Sequence, residues 1–179
     1  MGAGLSFVSV GMGDVNDDGY GDLAVGSGGE STLEDAAGGV FLMHGPIWGT
    51  SDLSVMTPAI SGNRQFGGLG ISLASAGDVD GDGDLDLLAG SWEEEGISAW
   101  LFLGPFDEPR GRRHRSVFYN RDSSISQANP TAFAGLGDVD QDETDDLIMG
   151  SPGATAPVRG GAAYLIRHGI YSEPATSSW

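Results

Sequence analysis

The chain contains no cysteine and no lysine. Without cysteine there is no disulfide framework, no thiolate zinc site and no cysteine nucleophile. Its eight basic residues are all arginines and face 26 acids, for a formal net charge of −18. Such a chain lacks the cationic surface that displaces counterions from phosphates, which excludes general nucleic-acid binding. Aromatic residues are only 8% of the total. No apolar run approaches the ~18 residues needed to span a bilayer, so no membrane insertion is expected. The opening Met1-Gly2-Ala3-Gly4-Leu5 carries neither a positive n-region nor a long apolar h-region. The expectation is that a leader is absent from this sequence.

Glycine is what the chain has in excess, 31 of 179 residues, against a usual ~7%. The apolar content falls in short ordered blocks between glycines, which points to a turn-rich all-β chain rather than disorder. Three blocks repeat. The first runs from Gly13-Asp14 to Gly26-Ser27, the second from Gly77-Asp78 to Gly90-Ser91, and the third from Gly137-Asp138 to Gly150-Ser151. Nine-residue windows starting at Asp14, Asp78 and Asp138 hold 15 of the 26 acids. A solvated face would scatter those charges. Here acids recur at positions 1, 5 and 9 of every window, with an acid or amide at position 3.

Each block is preceded by a run of small and apolar residues: Phe7 to Val10, Ile71 to Ala76, and Ala132 to Leu136. It is followed by apolar runs at Leu23 to Val25, Leu87 to Ala89 and Leu147 to Met149. A further run comes at Val40 to Met43, Ala99 to Leu103 and Ala162 to Ile166. Runs this short bounded by glycine read as strands, and their lack of clean alternation predicts burial on both faces. A fourth strand is expected in each unit, near Ser54 to Ile60 in the first and near Ser116 to Tyr119 in the second. Four-stranded antiparallel units buried on both faces must be sandwiched between copies of themselves. Radial stacking of such sheets is a β-propeller, with the small residues of each first strand nearest the axis. The predicted units are residues 1–65, 66–127 and 128–179, the last strand of the third being incomplete.

Oxygens at positions 1, 3, 5 and 9, with a backbone carbonyl from position 7, form a cage for a hard cation, and calcium suits it best. The candidate ligands are Asp14, Asn16, Asp18, Tyr20 and Asp22 in the first loop. They are Asp78, Asp80, Asp82, Asp84 and Asp86 in the second, and Asp138, Asp140, Asp142, Thr144 and Asp146 in the third. Up to three Ca2+ per chain are therefore expected. An EF-hand is excluded, because position 12, where that loop needs a bidentate Glu, holds Val25, Ala89 and Met149 and the flanks are strands. Gly19 and Gly83 stand at position 6, where a positive φ is cheap. Glu143 stands there in the third loop, which predicts strain and a weaker or differently shaped third site. The second loop is expected to bind tightest.

These loops, together with Phe66-Gly67 and with Gly150-Ser151-Pro152 where a Gly-Ala-Pro falls, resemble the FG-GAP repeats of integrin α-subunit propellers and related extracellular propellers. The resemblance covers nearly the whole chain. It implies calcium in the hairpin between the first and second strands of each blade, extracellular or cell-surface location, and adhesion or ligand recognition without catalysis.

Other residues carry less. His44 and His168 each precede a glycine and are expected at equivalent structural places; no nucleophile motif accompanies them or His114. Arg110 to Arg115, the only basic cluster, reads as a solvated loop or a docking point for an acidic partner. Trp92 is expected in a loop at one end of a blade, packed between blades or stacked on a sugar, which leaves a carbohydrate-binding lectin as an alternative. A non-catalytic propeller part of a secreted hydrolase or lyase is another. Three blades do not close a ring. The chain is therefore expected to self-associate, two copies giving six blades, or to be completed by a companion chain or further sequence.

Overall fold

The computed structural model describes residues 7–29, 31, 35–93, 96–106, 116–119, 132–151 and 162–167. These form eleven strands in three antiparallel sheets. Strands β1 (Phe7–Gly13), β2 (Asp22–Ser27), β3 (Gly39–Met43) and β4 (Ile60–Ser61) lie side by side in chain order. So do β5 (Ser72–Gly77), β6 (Asp86–Glu93), β7 (Gly96–Phe102) and β8 (Ser116–Tyr119). The third sheet comprises β9 (Ala132–Gly137), β10 (Asp146–Ser151) and β11 (Ala162–Ile166), again in simple order. This is the all-β, repeated-sheet architecture expected of propeller blades, and the three sheets do not close on themselves.

Each acidic window is the hairpin loop joining the first two strands of its sheet. The strand register slips at the loop entrance, where Gly13, Gly77 and Gly137 adopt φ of 73°, 80° and 71°. A left-handed residue at a bulge is what glycine supplies at least cost, which is why a glycine precedes each Asp-Val pair.

The fourth strand of the first sheet is not where the sequence places it. Of residues 54–60 only Ile60 joins it; Leu53–Val55 make a single 3₁₀ turn and pairing is confined to Ile60–Ser61. Pro58 explains this, since proline has no N–H to donate to a ladder. β8 does form at Ser116–Tyr119, as expected. A fourth strand for the third sheet lies outside the described residues, as do His114, His168, Pro152 and the Arg110 to Arg115 cluster. Trp92 stands on β6 rather than in a loop.

Burial on both faces holds for the middle sheet. Leu87, Ala89, Trp100 and Phe102 pack toward the first sheet with Met12, Ala24, Val40 and Ile60. Leu88, Ala74, Ala99 and Leu101 pack toward the third with Leu147, Met149 and Ile166. The first strands β1, β5 and β9 neighbour one another across the stack. A Cβ on Gly135 would stand 2.8 Å from the carbonyl oxygens of Ser75 and Ala76, so β9 approaches β5 as only glycine permits. The segment after β4 stitches the first two sheets: Gly68 and Leu69 donate to Ala36 and Ala37, and Gly70 donates to the Gly90 carbonyl.

Candidate metal centres

In each loop the position-1 aspartate organises the backbone. Asp14 accepts from the amides of Asp18 (3.1 Å) and Gly19 (2.8 Å). Asp78 accepts from Gly81, Asp82 and Gly83 at 2.8, 3.1 and 2.9 Å, and Asp138 from Asp142 and Glu143, both at 3.0 Å. The position-5 aspartates accept from position 7: Tyr20 to Asp18, Asp84 to Asp82, and Thr144 to Asp142 through both N–H and Oγ1. These bonds curl three loops of different sequence alike. A carboxylate oxygen has more than one acceptor site, so amide bonding leaves capacity for a cation.

Position 9 is buried in all three loops: Asp22, Asp86 and Asp146. One oxygen of each accepts the position-2 amide, from Val15 (2.8 Å), Val79 (2.8 Å) or Val139 (3.0 Å). The other accepts from Gly45 in the first sheet and Gly104 in the second, both at 2.8 Å, just past the end of the third strand. These aspartates therefore tie hairpin to sheet, a role that ligand spacing alone did not reveal. Asp146 differs. Its Oδ1 is buried with no hydrogen-bond partner among the described residues. The position that donates to this oxygen in the other two sheets, two past the counterpart of Met43, lies outside the described residues here.

Carboxylate oxygens of Asp78, Asp80 and Asp82 lie within 4.8 Å of one another, as do those of Asp138, Asp140 and Asp146. Asp86 and Asp142, expected in those clusters, stand outside these triplets. The first loop gathers no such triplet among the described residues, since Asn16 stands at position 3 and its amide bonds Asp18 instead, donating to Oδ2 at 3.0 Å and accepting from its N–H at 3.1 Å. The donors are all hard oxygens, the set that suits Ca2+.

Crowding of carboxylates shows in their protonation. Burial, with the neighbouring Asp80 and Asp82 charges adding to it, pushes Asp86 up to about 7 against the bonds from Gly104 and Val79. Burial first, then Asp82, also raises Asp80. Near neutrality the cation-free second loop holds its charge reluctantly, and a divalent ion would relieve it.

Position 6 carries the expected positive φ: Gly19 at 87°, Gly83 at 93° and Glu143 at 72°. Position 4 is left-handed too, with Asp17 at 58°, Gly81 at 75° and Gln141 at 64°. Strain thus falls on no residue of the second loop, one of the first and two of the third. The third loop has a further handicap: Arg167 Nη1 lies 3.3 Å from Asp140 Oδ2, a cation already on a candidate ligand. Strand register makes Arg167, not His168, the counterpart of His44, because Leu147 pairs with Ile166 as Leu23 pairs with Met43. The expected equivalence of the two histidines is therefore off by one residue. His44 Nδ1 is 3.5 Å from Asp22 Oδ2.

Two tryptophans flank opposite ends of the sheets. Trp92 is half-exposed at the end away from the loops, its N–H donating to the Gly67 carbonyl at the seam between sheets. Trp48, which the sequence did not single out, is 84% exposed. It follows the Gly45-Pro46 turn on the loop side, where Gly45 lies against Tyr20.

Residues 6–43 match the family profile of the FG-GAP repeat. That stretch holds β1, the first acidic loop, β2 and β3, and the same order recurs in the other two sheets. No curated protein matches the chain significantly.

Proposed function

We propose that the chain is a calcium-stabilised propeller module for extracellular or cell-surface recognition, in which the ions are structural and no reaction is catalysed. The observation that carries this reading is the convergence of carboxylate oxygens from Asp78, Asp80 and Asp82, and from Asp138, Asp140 and Asp146, each set within 4.8 Å, in hairpin loops of one plan. Asp14, Asp18 and Asp22, Asp78 to Asp86, and Asp138 to Asp146 would hold the ions. Bound calcium would supply charge neutralisation that closes each hairpin, at a place where like charges 4 Å apart repel by about 1–4 kcal/mol. The FG-GAP match over the first unit supports the same assignment. An extracellular setting suits loops of modest affinity, because they fill only where calcium is abundant. Thermal melting in calcium and in EDTA is the test. A midpoint several degrees higher in calcium is expected, and an unmoved midpoint overturns the proposal.

Sugar recognition is a second reading, favoured by the exposure of Trp48, Tyr20 and Trp92. A glycan array separates it from protein recognition: binding lost in Trp48→Ala with unchanged melting would establish it.

A further inference from the structure

We infer that Asp145 couples the second and third cation loops, so that filling one strengthens the other. This rests on the calcium reading above and extends it to how the sites communicate. Asp145 is not among the ligand positions; it stands at position 8 of the third loop, pointing away from that loop. Its Oδ2 accepts the N–H of Asp78 at 3.0 Å, and its own N–H donates to the Asp78 carbonyl at 2.8 Å. The first residue of the second loop is thus clasped on both backbone sides by a residue of the third.

The surroundings are shaped for this contact. A Cβ on Gly77 would fall on the Asp145 carboxylate, so only glycine leaves room for it. Thr144 is buried next to Gly81, whose added Cβ would meet its methyl at 3.3 Å. The corresponding contact between the first and second loops is of another kind. There Leu85 holds position 8, and its methyl packs where a Cβ on Gly13 would be, at 2.8 Å. An apolar side chain neither accepts the amide nor adds charge. Asp145 therefore hydrogen-bonds the third loop to the second, a bond that leucine at the same position of the second loop cannot make to the first.

Two physical effects make the coupling positive. The third loop holds Gln141 and Glu143 in the left-handed region, so an ion there fixes a backbone that otherwise relaxes, and with it the position of Asp145. A fixed Asp145 in turn holds the Asp78 amide and carbonyl, pre-shaping the second loop and placing one more negative charge beside it. Linkage requires the converse as well: an ion in the second loop raises affinity in the third by the same factor.

Calorimetric calcium titration tests this in an Asp14→Ala background, which leaves two sites. Adding Asp138→Ala isolates the second loop and adding Asp78→Ala isolates the third. The product of the two stepwise association constants in Asp14→Ala is expected to exceed the product of the isolated constants at least fivefold. With Asp145→Leu in all three proteins the ratio should fall to about one; Leu85 shows that leucine fits at this position. Asp145→Asn, which keeps an oxygen for the Asp78 amide, should restore most of the ratio. Hydrogen exchange provides a second readout: protection of the Asp78 amide should rise with calcium in Asp14→Ala and vanish with Asp145→Leu. Calcium binding with a ratio indifferent to Asp145→Leu, or with no excess over the isolated constants, overturns the coupling alone. Absence of any calcium heat overturns both it and the functional proposal.

Discussion

At the scale of single residues, Glu143 and Asp86 each sit where the backbone or the medium disfavours them. Glu143 has φ of 72° at a place where the other loops use glycine. A non-glycine residue in this region costs about 1–2 kcal/mol, part of which glycine returns through its freer unfolded chain. Glu143→Gly should therefore stabilise the protein by about 1 kcal/mol and tighten calcium binding in the third loop. Glu143→Gln, which removes charge and keeps the strain, should gain less; equal gains in urea midpoint would assign the effect to charge. Asp86 is the second case. Burial pushes its folded carboxyl up to about 7 from an ordinary 3.8, so below that pH the calcium-stripped protein gains stability by holding it neutral. That stability is fully present below pH 4 and is lost as pH rises through about 7. Urea midpoints without calcium should fall between pH 5 and pH 8, and this fall should shrink in Asp86→Asn. A midpoint that climbs over the same range, after subtraction of the Asp86→Asn curve, contradicts it.

Elements show why some of the structure was legible and some was not. The hairpins were readable because three constraints coincide at one spacing: a bulge that needs glycine, an aspartate that caps the loop amides, and a buried aspartate at position 9. The second and third strands were readable from unbroken apolar runs, and both faces of β6 are indeed covered. β4 was legible only at Ile60, because Leu53–Val55 close a 3₁₀ turn that leaves Val55 exposed and Pro58 removes a donor. Inter-loop contacts such as Asp145 to Asp78 were invisible for a different reason: they join residues 67 apart, and no local pattern marks them. Close packing of β9 on β5 makes a prediction at this scale. Gly135→Ala would place a methyl 2.8 Å from two carbonyl oxygens of β5, and overpacking of this kind costs about 1–3 kcal/mol. Chemical denaturation should show that loss. Gly11→Ala, where an added Cβ meets nothing within 4 Å, should lose far less.

For the whole molecule, the telling feature is the apolar outward face of the third sheet. The middle sheet turns Ala74, Leu88 and Leu101 toward its neighbour. Strand register places Ala134, Ile148 and Leu165 in the same positions of the third sheet, where no further described sheet meets them. Leu165 is 48% exposed and Leu136 40%. At the other end of the stack the counterpart face of Leu23, Val25, Phe41 and Met43 differs, because Val25 and Phe41 are already buried within the chain. We therefore propose that two copies of the chain associate through this outward apolar face of the third sheet. Light scattering should give about twice the 18.4 kDa of one chain. Ile148→Asp with Leu165→Asp, both on the outward side of the third sheet, should reduce that mass to one chain while calcium binding persists. A wild-type chain that stays monodisperse at 18.4 kDa would leave the apolar face to a companion chain instead, and the two aspartates would then leave its mass unchanged.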